Sequence, residues 1–171
     1  MKRLAHIFVV AVVLSLSLSL TACYTFNGAS IDYSVYRTIS LGDFPIRAAL
    51  VYPPLQQVFE NRITDMIAQQ TRLRVIDNAN SDLRLEGEIT GYSLSPQAVG
   101  EDAYASQTRL TITVRVKYTD NRNEQLSKDL TFSAYRDFSS SEMLTDVQDE
   151  LCSQISKDLA DLIFNATIGD W

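Results

Sequence analysis

The chain is almost without histidine. Its 171 residues hold one, His6, and that residue lies in an N-terminal segment read below as a leader that is removed. The remaining sequence therefore has no imidazole to act as general base, metal ligand or member of a nucleophilic triad. Cysteine is nearly as scarce, with only Cys23 and Cys152. If Cys23 is modified, no intramolecular disulfide can form. Cys152 lacks the histidine that usually activates a thiol, and its acidic surroundings, EMLTDVQDELCSQI, raise a thiol pKa. It reads as a helix cysteine near the core. From residue 24 onward no apolar run approaches 18 residues, which excludes a spanning helix there. The acidic residues are scattered, with no pair standing out for carboxylate chemistry, and no internal repeat or low-complexity tract is visible. The reading is of a protein that is not an enzyme, with no cofactor and no metal site.

What is present begins at the N-terminus. Met1-Lys2-Arg3 supplies a positive start, and Ile7 to Leu20 is an uncharged stretch of signal-peptide length. It closes with Leu20-Thr21-Ala22-Cys23, a branched apolar residue, two small residues and a cysteine. This is the lipobox pattern of bacterial lipoproteins. The small pair lets the backbone enter a peptidase cleft, and the Cys23 thiol receives diacylglycerol. Three hydrocarbon tails then exceed the two signals that stable anchoring requires. Tyr24 stands where an inner-membrane retention signal would place aspartate, which points to the outer membrane, with the protein facing the periplasm. The expected organisation is a cleaved signal at 1–22, a lipidated tether at 23–35 and one domain at 36–171.

Cleavage leaves 149 residues, long enough to bury roughly 70% of the unfolded surface without staples. It also removes Lys2 and Arg3, leaving 13 basic against 21 acidic side chains, a net charge of −8. A domain this acidic is a poor non-specific ligand for nucleic acid or anionic membranes, so any anion it binds must meet a local basic patch.

Hydrophobic periodicity gives the elements. Tyr36–Phe44 reads as a first strand, followed by a proline-punctuated loop with Pro54 at the first turn of a helix. Leu55, Phe59, Ile63, Met66 and Ile67 fall at helical spacing on that helix. Arg72–Ile76 is a short strand and Asp77–Asn80 a turn. In Asp82–Leu94, alternation places Leu83, Leu85, Ile89 and Gly91 on one face and Arg84, Glu86, Glu88 and Thr90 on the other. Thr108–Thr119 alternates most cleanly, with Leu110, Ile112, Val114, Val116 and Tyr118 against Arg109, Thr111, Thr113, Arg115 and Lys117. Leu126–Tyr135 returns as its antiparallel partner, while 95–106 is long for a hairpin loop and is expected to be mobile. Ser139 and Glu142 form a capping-box signature ahead of a helix of some 25 residues, whose seam runs through Leu144, Val147, Leu151, Ile155, Leu159, Leu162, Ile163 and Ala166.

The order β-α-β-β-β-β-α predicts an α/β (α+β) two-layer sandwich: a mixed sheet of four to five strands with two helices on one face. The other sheet face, carrying Arg109, Arg115 and Lys117, is left polar and open. These cations span roughly 27 Å at about 3.4 Å per residue, and phosphates can bridge the close pair, Arg115 and Lys117. Exposed strands also carry Lys and Arg for solubility and edge protection, and Glu86 and Glu88 on the preceding strand are placed to neutralise the patch.

The phrases FPIRAALVYPPL, LRLEGEITGYSLSP and TRLTITVRVKYT, with the lipobox and the element order, resemble the LptE family of outer-membrane lipoproteins, most closely its branch outside the enteric bacteria. The resemblance runs from Tyr24 to Trp171, and GEITGY at Gly87–Tyr92, followed by Pro96, is its most specific part. It implies a lipoprotein that plugs the lumen of a large β-barrel, the lipopolysaccharide translocon protein LptD, assists its assembly and binds lipopolysaccharide. It also implies that basic residues on the sheet side meet the anionic glycolipid, a role that falls as a class on Arg109, Arg115 and Lys117. A solitary or transporter-associated periplasmic lipoprotein that binds a lipid or small ligand remains the alternative.

Overall fold

The computed structural model describes residues 31–78, 80–97 and 107–169. The signal segment, Cys23 and most of the tether lie outside the described residues, as do 98–106 of the expected loop. The elements are β1 (Thr38–Leu41), α1 (Pro54–Gln70), β2 (Arg74–Val75), β3 (Leu83–Gln97), β4 (Gln107–Asp120), β5 (Lys128–Ser139) and α2 (Leu144–Ala166). A 3-10 turn at Glu124–Leu126 joins β4 to β5. The five strands form one sheet in the order β2-β1-β3-β4-β5. β1 is parallel to both β2 and β3, and β3, β4 and β5 are antiparallel neighbours. The expected mixed sheet with two helices is what the chain forms.

Local sequence explains each element. Pro53 and Pro54 fix the entry to α1, where the missing proline N–H breaks no helical bond. All five apolar residues anticipated on α1 are buried. α1 carries the chain across from β1 to the parallel β2, which needs a connection of this length. α2 lies on β4 and β5 and packs against α1. The two helices and the sheet meet where Ile63, Ile67, Leu85, Ala160 and Ile163 converge. Fully buried Leu83, Leu85, Ile89, Leu110, Ile112, Val114 and Val116 supply the sheet side of this core.

The first strand is shorter than expected, Thr38–Leu41 within Tyr36–Phe44, and four further details depart from the sequence reading. β3 runs on to Gln97, so part of the expected loop is strand. Ser139 is the last residue of β5, and α2 starts only at Leu144 without a side-chain cap. Glu142 still folds back to accept the Ser139 amide at 3.2 Å, so this half of the capping pattern closes the strand–helix turn instead. On α2, Leu162 points outward at 44% exposure, and Cys152, Ser156 and Ala160 take up buried positions along the seam. The fourth difference is a β-bulge. Ile89 pairs with Val114 and Gly91 with Thr113, leaving Thr90 as an extra residue. Phase inverts beyond it, so Tyr92 enters the core and Gly91 lies on the opposite, open face, beside the Thr113 side chain.

At the other end of β3, a buried polar cluster ties three strands together. Asp82 Oδ2 accepts from the Arg37 amide (2.9 Å), the Thr38 amide (3.0 Å) and the Thr38 hydroxyl (2.9 Å), and its Oδ1 accepts from Arg122 Nε (2.7 Å). Burial pushes the Asp82 carboxyl up, but the hydrogen bonds from Arg37, Arg122 and Thr38 outweigh it and hold the pKa at about 2. Asp120 beside it accepts from Tyr36 Oη and from the Arg122 and Asn123 amides.

Candidate functional site

The sheet face opposite the helices is the surface on which the predicted cations stand. Because side chains alternate along a strand, the residues that fill the core dictate which residues project here. β4 contributes Arg109, Thr111, Thr113, Arg115 and Lys117. β3 adds Arg84, Glu86 and Glu88 before the bulge, and Gly91, Ser93 and Ser95 after it. β5 adds Asp129, Thr131, Ser133, Tyr135 and Asp137. The face thus has a charged half around Arg115 and a hydroxyl-rich half above it, where Thr113 and Ser133 hydroxyls are hydrogen-bonded at 2.8 Å.

The three cations do not stand alone. Arg109 makes a two-pronged bond to Asp137, with Nε–Oδ1 at 2.7 Å and Nη2–Oδ2 at 2.9 Å. Its guanidinium also lies 3.7 Å from the centre of the Tyr135 ring, a cation–π contact. Arg115 grips Asp129 in the same way, at 3.1 and 2.7 Å. Lys117 lies 3.9 Å from Glu86, which is bound more closely by Arg84 at 2.7 Å. Arg84, Arg109, Arg115 and Lys117 thus share three paired carboxylates, Glu86, Asp129 and Asp137, and Glu88 stands opposite Arg115 on β3 as a fourth acidic group. The hydrogen bond from Arg115 holds the Asp129 carboxyl below the usual range, and Arg109 does the same for Asp137.

Sequence reasoning looked to Glu86 and Glu88 for neutralisation, and the stronger partners lie on β5. The connection from β4 runs on through the 3-10 turn to Ser127, and the register this sets places Asp129 opposite Lys117 and Asp137 opposite Arg109. A hairpin closed at the expected turn, Asp120–Asn123, would instead have set Asp129 opposite Val114. The structure brings Arg115 and Lys117 together on one shallow cleft of about 670 Å³, with Arg84, Glu86, Asp77 and Asp129 also on its walls. Arg109, at the far end of β4, is not among the lining residues of that cleft.

Chemically, the cleft offers cations and carboxylates in exposed pairs. No group of three or more potential metal ligands occurs among the described residues. Cys152 is buried on the inner face of α2, and burial raises its thiol pKa to about 11, so at neutral pH it is a protonated core residue. Nearby, Tyr92 accepts a hydrogen bond from the Gln148 amide at 2.6 Å, and Tyr52 donates to Asp149. No helix among the described residues is long and apolar enough to cross a membrane.

Known structures share this arrangement of elements. A minor lipoprotein from Acinetobacter baumannii is similar at a TM-score of 0.51 and 16% identity, with 75% of this chain and 90% of that chain covered. A homolog of a neuraminyllactose-binding hemagglutinin from Helicobacter pylori gives a TM-score of 0.53 at 11% identity, covering 82% of this chain and 87% of the other. Rare lipoprotein B from Shewanella oneidensis superposes less closely, with a TM-score of 0.46, 14% identity and coverage of 75% and 93%. At these identities the first two similarities concern the fold alone. No curated protein matches the sequence significantly. The model of the LptE family, described as lipopolysaccharide-assembly, matches residues 36–167, from the residue that anchors β1 to Asp120 to the residue that closes α2. The chain belongs to the LptE family.

Proposed function

We propose that this protein is an outer-membrane lipoprotein, anchored through Cys23, that plugs the lumen of an LptD-like β-barrel and assists lipopolysaccharide assembly without a catalytic step of its own. Residues 36–171 act as one folded unit on the 23–35 tether, facing the periplasm. The observation that carries this reading is the open sheet face, on which Arg115 and Lys117 are 56% and 65% exposed on a common cleft. Membership of a lipopolysaccharide-assembly family supplies the ligand class.

The cleft suits lipid A phosphates by exchange. Exposed ion pairs contribute little to stability, because water screens them and ordering two side chains costs entropy. A phosphate can therefore take the place of Asp129 on the Arg115 fork while also contacting Lys117. Arg109 is held more firmly, by Asp137 and the Tyr135 ring together, and serves as a peripheral contact.

Affinity purification of the full-length protein from its own membranes in mild detergent, with mass spectrometry of what accompanies it, tests the proposal. A large β-barrel recovered in near-equal amount is the expected result. Arg115→Glu with Lys117→Glu is expected to leave that recovery unchanged and to weaken lipopolysaccharide binding at least tenfold. Recovery of the protein alone, or with an inner-membrane transporter, overturns the barrel reading.

A further inference from the structure

β5 is the last strand of the sheet, and hydrogen-bond alternation fixes which of its groups face outward. The carbonyls of Leu85 and Ile89 on β3 accept from the Gly42 and Arg47 amides, away from β4. Arg84, Glu86 and Glu88 therefore bond to β4, and the unbroken β4–β5 register carries the alternation outward. It leaves the amides and carbonyls of Asp129, Thr131, Ser133, Tyr135 and Asp137 on the free edge. The Tyr135 carbonyl accepts from the Arg136 guanidinium at 2.9 Å, and none of these groups pairs with another strand among the described residues.

Edge strands are ordinarily protected by proline, a bulge, short length or charges that project over the edge. β5 has little of this protection. It is 12 residues long, contains no proline and pairs with β4 without a register shift. Only Arg136 brings a charge to the edge, at the Tyr135 carbonyl, and it is also held by Asp158 and Gln154. The other charged side chains are drawn onto the body of the protein: Lys128 to the Ala166 carbonyl, Asp129 to Arg115 and Asp137 to Arg109. A groove of about 640 Å³ runs along the same edge between β5 and α2. Tyr135 and Leu162, 50% and 44% exposed, are among its lining residues. Asp161, in the same groove, has no counter-ion among the described residues.

We propose that the β5 edge receives an extended segment of a partner protein as a sixth strand, with basic and apolar side chains alternating on the side that faces α2. Strand addition draws affinity from main-chain hydrogen bonds and specificity from alternate side chains, and this edge provides both. A basic side chain meets Asp161 and an apolar one covers Leu162. A second copy of this chain is a poor occupant. Two β5 strands in full overlap about Ser133 would set Asp129 of each against Asp137 of the other, and both would bring the same acidic groove. The proposal does not rest on the barrel reading: of the edge and groove residues only Asp129 also borders the cleft at Arg115 and Lys117, and the test below needs neither barrel nor glycolipid.

The test uses the full-length chain in mild detergent and a capped nine-residue peptide, with lysine and valine alternating on one face and threonine on the other. Amide hydrogen exchange at Thr131, Ser133 and Tyr135 is followed with increasing peptide. Protection of these amides by at least tenfold is expected. It should be lost when the peptide is N-methylated at alternate positions, and weakened at least tenfold by Asp161→Lys. Thr131→Pro, which removes an outward amide and no ladder bond, is expected to do the same while leaving the melting curve nearly unchanged. Free exchange at millimolar peptide overturns the proposal, as does equal protection by a peptide carrying glutamate for lysine. Protection already present without peptide also overturns it: loss on dilution identifies a second copy, and independence of concentration identifies a segment of the same chain.

Discussion

Replacing Asp82 by asparagine is expected to destabilise the protein by about 2 kcal/mol at neutral pH, and the cost should vanish in acid. The carboxylate is only 7% exposed and joins the start of β1 to the ends of β3 and β4 through Arg37, Thr38 and Arg122. Asparagine keeps the shape but has one acceptor oxygen. Turned toward the two amides and the Thr38 hydroxyl, it presents its NH2 group to Arg122, donor against donor. Hydrogen bonds to a charged group contribute about 1.5–3 kcal/mol, and Arg122 recovers part of its loss because it is itself 58% exposed. Expressed through linkage, the same hydrogen bonds give a matching magnitude. A folded pKa of about 2 against an ordinary value of 3.8 corresponds to about 2 kcal/mol. The sign follows from the depression: this stability is fully present above the ordinary value and is lost as pH falls through about 2. Urea unfolding of wild type and Asp82→Asn, followed by circular dichroism at several pH values from 7 to 2, measures both terms. The neutral-pH difference should equal a Tm shift of about 6–8 °C, shrinking toward zero near pH 2. A difference that persists unchanged across the series would refute the assignment to charge, and no difference at pH 7 would refute the role of the cluster.

Three further outcomes follow from the packing. Gly87→Ala should cost about 2–3 kcal/mol or prevent folding, since a Cβ there would lie 2.2 Å from the Arg115 carbonyl oxygen and 2.8 Å from the Phe44 ring; a wild-type melting curve would show that this approach is not tight. Leu159→Ala removes a fully buried side chain from α2 and should cost about 2–5 kcal/mol in urea unfolding, whereas the exposed Leu162→Ala should change stability by less than about 1 kcal/mol. A disulfide reagent at pH 8 should label Cys152 at least about 100-fold more slowly in the folded protein than in urea, because burial holds the thiol protonated; equal rates would place the thiol at the surface.

The helices and most strands were legible because their signals are local. The α1 stripe from Leu55 to Ile67 and the alternation of β4 each need only one segment to be read. The bulge at Thr90 was not, because GEITGYSL continues a plausible period of two straight through it. Its trace is the spacing of three between the large apolar residues Ile89 and Tyr92, with glycine between them, which no uninterrupted strand can bury on one face. The charge balance of the open face was hidden for a different reason. It depends on cross-strand register, so that cations read along β4 alone look like a basic stripe, while Asp129 and Asp137 arrive from β5. That balance changes what the face asks of a ligand. A net basic patch would attract any anion, but here an incoming group must displace a carboxylate already bound to the Arg115 fork. Under the proposed function, a phosphate that touches Arg115 alone exchanges one ion pair for another and gains little. A ligand gains only if it reaches Arg115 and Lys117 at once, so a glycolipid with clustered phosphates should bind better than one with a single isolated phosphate, and the preference should collapse when Lys117 is removed.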